Sequence, residues 1–88
     1  MVVKVRGILL RFTNYESSIE VEAPTVLGAL TELTERYPEL KDVLLDRSGA
    51  VRRTHLVALN GEALRPEELD RAGAEDDQLD IATAVSGG

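Results

Sequence analysis

Apolar and polar residues alternate with a period of two in three places along the chain, and with a helical period in one. Val3 and Val5 alternate with Lys4 and Arg6, Ile19 and Val21 with Glu20 and Glu22, and Leu79 and Ile81 with Asp80; past Ala82, Thr83 closes the run. This is the pattern of a strand with one face buried. Gly7 breaks the first run, and Ile8–Phe12 reads equally as strand or as rim. The polar turn Thr13–Ser18 followed by Ile19–Ala23 then suggests a first hairpin. Between Thr25 and Tyr37 the spacing changes. Leu27, Leu30, Leu33 and Tyr37 recur at intervals of three and four, predicting an amphipathic helix. Thr25 is placed to cap its start, and Pro38 disfavours helical geometry at Tyr37 and ends it. Glu32 and Arg36 stand four apart, acid first, on its polar side.

Beyond this helix, Leu40, Val43 and Leu44 predict a short irregular helix over 39–46, with a turn at Ser48-Gly49. The stretch 51–59 reads as a strand, with His55, Val57 and Leu59 on one face and Leu56 and Ala58 on the other. Asn60-Gly61 is a strong two-residue hairpin signal, because both residues tolerate positive φ, so Glu62–Leu64 is read as a return strand. Arg65–Leu69 is read as one helical turn, and Glu75-Asp76-Asp77 as an acidic turn before the last strand, 79–83. One main helix covers only one face of such a sheet, which makes the fold class α+β, a mixed sheet of about five strands. If the first and last strands are central and parallel, handedness leaves few topologies, of which the β-grasp is the simplest.

Composition narrows the function more than the fold. The chain has 88 residues, enough for one small core. Sixteen acidic against ten basic residues give a net charge of -6, which argues against nucleic acid and anionic membrane surfaces as partners. There is no cysteine, so disulfides, thiol nucleophiles and thiolate metal sites are excluded, and His55 is the one histidine. No apolar run approaches the ~18 residues of a membrane span, and MVVKVRG lacks the shape of a secretory signal. A cytoplasmic location is expected. Phosphate-binding and nucleophile-elbow motifs are missing. Glu75, Asp76, Asp77 and Asp80 read as a solvated acidic turn rather than a metal site, and His55 as a partly buried structural residue.

The chemistry-bearing feature is the end of the chain, Gly87-Gly88. Without Cβ atoms, a diglycine is slim enough to thread a narrow channel. From Thr83 to Gly88 an extended chain projects about 20 Å. The terminal carboxylate, ionised at neutral pH, reacts with a nucleophile only after activation, and this sequence has no nucleotide-binding motif to activate it. The chain therefore reads as a substrate for other proteins and not as an enzyme.

Leu33-Thr34-Glu35-Arg36-Tyr37-Pro38-Glu39-Leu40, Val57-Ala58-Leu59-Asn60-Gly61-Glu62, Leu79-Asp80-Ile81 and Ala84-Val85-Ser86-Gly87-Gly88 follow one another in an order and spacing that resembles the MoaD/ThiS sulfur-carrier family, in particular its longer MoaD- and CysO-like members. The resemblance implies a ubiquitin-like β-grasp over residues 1–83 and a flexible tail over 84–88. It implies an E1-like partner that adenylates Gly88 with ATP, a sulfur donor that displaces AMP to leave a thiocarboxylate, and a downstream sulfur-accepting enzyme. No cofactor is expected on this chain itself. By the same resemblance Gly88 is the attachment point, Gly87 gives the slim approach, and Ala84, Val85 and Ser86 form the neck a partner grips. Ala82 and Leu59 are read either as partner surface or as core. The acceptors in view are molybdopterin, cysteine, thiamin, a tRNA base or a sulfur-containing natural product, including service as the small subunit of a molybdopterin-synthase-like complex. Glu75-Asp76-Asp77 and Thr83 depart from the Gly-Asp turn and the proline usual in the family. Two other readings keep the same fold: a ubiquitin-like modifier joined through Gly88 to lysines, and a non-covalent interaction subunit.

Overall fold

The computed structural model describes residues 1–83. Ala84, Val85, Ser86, Gly87 and Gly88, on which the tail expectations fall, lie outside the described residues.

Five strands form one mixed sheet: β1 (Val2–Val5), β2 (Ser18–Glu20), β3 (His55–Leu59), β4 (Glu62–Ala63) and β5 (Gln78–Thr83). Their order across the sheet is β2-β1-β5-β3-β4. The first and last strands are neighbours and parallel, with Val3 beside Leu79 and Val5 beside Ile81. All other pairings are antiparallel. This is the β-grasp arrangement that alternation and the crossover rule favour.

Two helices, α1 (Val26–Arg36) and α2 (Pro38–Leu44), cover one face. The core lies between them and Val3, Val5, Ile19, Val57, Leu59, Leu79 and Ile81 of the sheet. Each large aliphatic side chain so removed from water contributes about 1.5–3 kcal/mol before entropy is charged against it. α1 begins where expected: Thr25 is extended, and its Oγ1 accepts the Gly28 N–H at 3.0 Å. Its end is also as read, with Tyr37 leaving helical geometry and Pro38 starting α2. The buried stripe differs from the sequence reading at one position. Leu27 is 44% exposed, while Val26, Ala29, Leu30 and Leu33 face the sheet. Val26, Ala29, Leu30 and Leu33 form the inward stripe at steps of three and four, and Leu27, about 100° round the helix from Val26, falls at its margin.

Three loops also depart from simple alternation. Gly7, at φ 66, turns the chain out of β1, and Gly7–Phe12 winds into a 3-10 helix that buries Leu9. The strand read over 51–59 is shorter, because its first part belongs to a loop. Asp46 accepts from the Ser48 hydroxyl at 2.6 Å and from the Ser48 and Ala50 N–H groups, leaving Val51 a single bridge to Leu45. The strand read over Ile19–Ala23 pairs as far as Glu20, and Val21 adds its N–H to the Met1 carbonyl and its carbonyl to the Met1 ammonium. Asn60 and Gly61, at φ 50 and 86, make the expected hairpin turn between β3 and β4.

Candidate functional site

β5 is the strand that leads to the C-terminal residues, and it is paired on both sides. Leu79 and Ile81 point into the core, and Thr83 stands on the same face at the strand's end. His55 is its cross-strand partner. Burial, reinforced by the nearby Arg52 charge, holds the His55 imidazole below its ordinary pKa. Thr54 Oγ1 lies 3.0 Å from Nδ1. No carboxylate is bonded to this histidine among the described residues, so its one side-chain partner there is the Thr54 hydroxyl and the acid that would orient a catalytic base is missing. Thr83 Oγ1 is buried and has no hydrogen-bond partner among the described residues.

The other face of the sheet carries no helix. Ala82 sits on it directly beside Leu56, and Asp80 beside Ala58. Leu56 is 55% exposed, an unusual setting for a large aliphatic on a strand. Leu59 is on the opposite, helix-covered face, 8% exposed and part of the core. The two residues left open between surface and core therefore separate: Leu59 packs inside, and Ala82 lies on the uncovered sheet face. Leu56 is the residue on that face that the sequence reading did not single out. Its signal was present in the alternation, since Leu56 falls out of phase with the buried Val57 and Leu59.

The acidic residues do not converge. Asp77 accepts from Asn60 Nδ2 at 2.9 Å and from the Ala74 N–H at 2.7 Å, which together hold its carboxyl below the usual range. Asn60 in turn accepts the Gln78 N–H at 2.9 Å, so this group ties the hairpin turn to the start of β5. Asp80 is engaged elsewhere, with Arg6 at 3.3 Å and Gln78 at 3.2 Å. Among the described residues no group of three His, Asp or Glu side chains is arranged to hold a metal ion. A cleft of about 470 Å³ opens at the opposite end of the molecule, between Met1, Glu20–Pro24 and Gly73–Glu75. Its rim carries the carboxylates of Glu20, Glu22 and Glu75 and no histidine, serine or threonine. Among the described residues, no helix is long and apolar enough to cross a membrane.

The last described strand, β5, thus lies in the middle of the sheet. Known proteins share this arrangement. The structure of SAMP1 from Haloferax volcanii superposes with a TM-score of 0.86 at 28% identity, covering 100% of this chain and 98% of that one. The Amycolatopsis orientalis BexX/CysO complex gives 0.85 at 30% identity, with 99% and 98% covered. CysO from Mycobacterium tuberculosis gives 0.83 at 26%, with 96% and 98% covered. A search among curated protein sequences returned no match. The ThiS family model matches residues 3–88, the whole fold together with Gly87 and Gly88. With its ubiquitin-like β-grasp and near-complete match, the chain belongs to the ThiS family, whose members are small protein carriers or ubiquitin-like modifiers rather than enzymes.

Proposed function

We propose that this protein is a sulfur carrier that acts through the carboxyl of Gly88. In the first step an E1-like partner joins that carboxylate to the α-phosphate of ATP, releasing pyrophosphate and leaving an acyl adenylate. In the second, a sulfide equivalent from a donor attacks the acyl carbon and expels AMP, leaving a thiocarboxylate. The thiocarboxylate sulfur is a nucleophile that a downstream enzyme directs onto its acceptor. ATP and the sulfur donor belong to the partners.

The observation that carries the reading is the family match running without interruption from residue 3 to Gly88. The 30% identity to the CysO complex over nearly the whole of both chains adds to it. The uncovered face around Ala82 and Leu56 is the surface on which the partners would seat while Ala84, Val85, Ser86 and Gly87 approach their active sites.

A second reading, conjugation of Gly88 to lysine amines, is favoured by the 28% identity to SAMP1, which in the Haloferax volcanii protein stands for small archaeal modifier protein 1. Intact mass spectrometry of the protein purified from its native host separates the two. One oxygen replaced by sulfur at the C-terminus is the expected result. Peptides of other proteins that carry on lysine a remnant of this chain ending in Gly87-Gly88, with no sulfur-bearing form, would replace the carrier reading by the modifier. An unaltered terminus, with function surviving deletion of Gly87 and Gly88, would overturn both.

A further inference from the structure

The charges of this acidic protein are segregated along the sheet. Two stretches, 1–15 and 47–61, contain no Asp or Glu, yet hold six of the ten cationic side chains: Lys4, Arg6, Arg11, Arg47, Arg52 and Arg53. They are far apart in sequence and the topology brings them together. β1 and β5 are parallel and β3 is antiparallel to β5, so the end of β1 and the start of β3 flank the end of β5 on its two sides. The 3-10 helix carrying Arg11 follows directly from the end of β1 and packs against α2 and β5. The loop carrying Arg47, Arg52 and Arg53 is fastened to α2 through the Arg52 N–H on the Leu44 carbonyl and Arg52 Nε on the Asp42 carbonyl. Both lie at the end of the molecule where the chain passes Thr83.

Several carboxylates near this end are engaged or lie at its margin, while that of Asp42 is exposed on α2 beside Arg52. Asp46 is held by Ser48 and Ala50, Asp80 bonds Arg6, and Glu16 belongs to the turn that enters the edge strand β2. At the opposite end, Glu20, Glu62 and Asp77 mark the ends or starts of β2, β4 and β5, with Glu75 and Asp76 beside them.

Covalent geometry decides which end meets a partner. The five residues beyond Thr83 span at most about 18 Å. Any protein acting on the Gly88 carboxyl must therefore approach this end, whichever reaction it performs. We infer that Arg11, Arg47, Arg52 and Arg53 form a cationic collar that seats against an acidic rim around the active-site entrance of the activating enzyme. Opposed potentials raise encounter rates and fix orientation. A carrier whose remaining surface is strongly negative is turned by such a rim so that its C-terminus faces the entrance. The inference rests on the proposed function and names the chemistry of its first partner.

The test is pyrophosphate exchange by the purified cognate adenylating enzyme, run against carrier concentration at about 50 mM and about 300 mM salt, where screening differs strongly. Arg47→Glu/Arg53→Glu reverses two exposed side chains, and Arg11→Glu probes the other flank independently of that loop. Each is expected to keep its thermal midpoint. Each is also expected to raise the KM for the carrier at low salt, the double variant about ten-fold, with kcat unchanged and the deficit shrinking at high salt. Glu75→Gln/Asp76→Asn, at the far end, is expected to stay within about two-fold. A folded double variant that also stays within two-fold at low salt would overturn the collar while leaving the carrier function intact. So would a rise in the KM for ATP in place of that for the carrier, which would put phosphate and not protein at the collar. No exchange with the unaltered carrier would overturn the carrier function and this inference together.

Discussion

His55 lies directly across the ladder from Thr83, at the last described step of the central strand. Its imidazole is kept neutral by burial and by Arg52. The folded state thus takes up its proton at lower pH than the unfolded chain, whose histidine titrates near about 6.5. Stability from this residue is complete above that pH and is lost as pH falls through the lowered folded value. NMR titration is expected to give His55 a pKa below that of a free histidine. Urea midpoints at about pH 7.5 and about pH 5.5 should fall more for the native protein than for His55→Gln. Equal falls would show that the histidine is not the group responsible.

Leu59 and Ala82 should separate stability from partner binding. Leu59→Ala opens a cavity between the sheet and the helices and is expected to cost about 2–4 kcal/mol, read from chemical denaturation. Ala82→Glu changes the uncovered face beside Leu56 and is expected to cost about 1 kcal/mol or less. The second variant should nevertheless weaken association with the activating enzyme in a direct binding measurement.

The pair Glu32 and Arg36 does more than bridge one helical turn. Glu32 Oε2 accepts from Arg36 at 2.9 Å, and its Oε1 accepts the Glu22 N–H at 3.1 Å. Arg36 Nη1 reaches the Glu20 carbonyl at 3.0 Å. The two side chains therefore tie α1 to the end of β2. An exposed ion pair alone is worth a few tenths of a kcal/mol, but Glu32→Ala also removes the partner of a backbone donor. Its expected cost is about 1 kcal/mol in thermal or urea unfolding. Loss of protection at the Glu22 amide in hydrogen exchange would identify the bond responsible.

Gly88→Ala puts a methyl beside the reacting carboxyl. The core is assembled from residues 1–81 and their neighbours, so its thermal midpoint should match that of the native chain. Adenylation, measured by pyrophosphate exchange, is expected to slow by at least about ten-fold, as a small displacement at a reacting atom commonly does. Normal exchange would count against Gly88 as the activated residue.

The features legible in the sequence are those set by local chemistry. The Thr25 cap, the Pro38 stop, the Asn60-Gly61 turn and the inward phase of Val3, Val5, Leu79 and Ile81 each follow from one or two neighbouring residues. The less legible ones depend on distant partners. Ile8–Phe12 has no decisive period, and its 3-10 form is settled by burial of Leu9. Val51 has strand chemistry but is drawn out of the sheet by the Asp46-centred loop. Leu27 looks like a core residue until packing against the sheet turns Val26, Ala29, Leu30 and Leu33 inward and leaves it at the margin. On the sheet, alternation separates Leu56 from Leu59, but only the helix placement tells which side is uncovered. The chemistry proposed at Gly88 rests on residue type and position, since 84–88 lie outside the described residues.

Because β5 is laddered to β1 on one flank and to β3 on the other, traction on the C-terminus is resisted in shear by both rows of hydrogen bonds at once, rather than by unzipping them one by one. Pulling at Thr83 therefore loads the sheet as a whole rather than peeling one strand away from it.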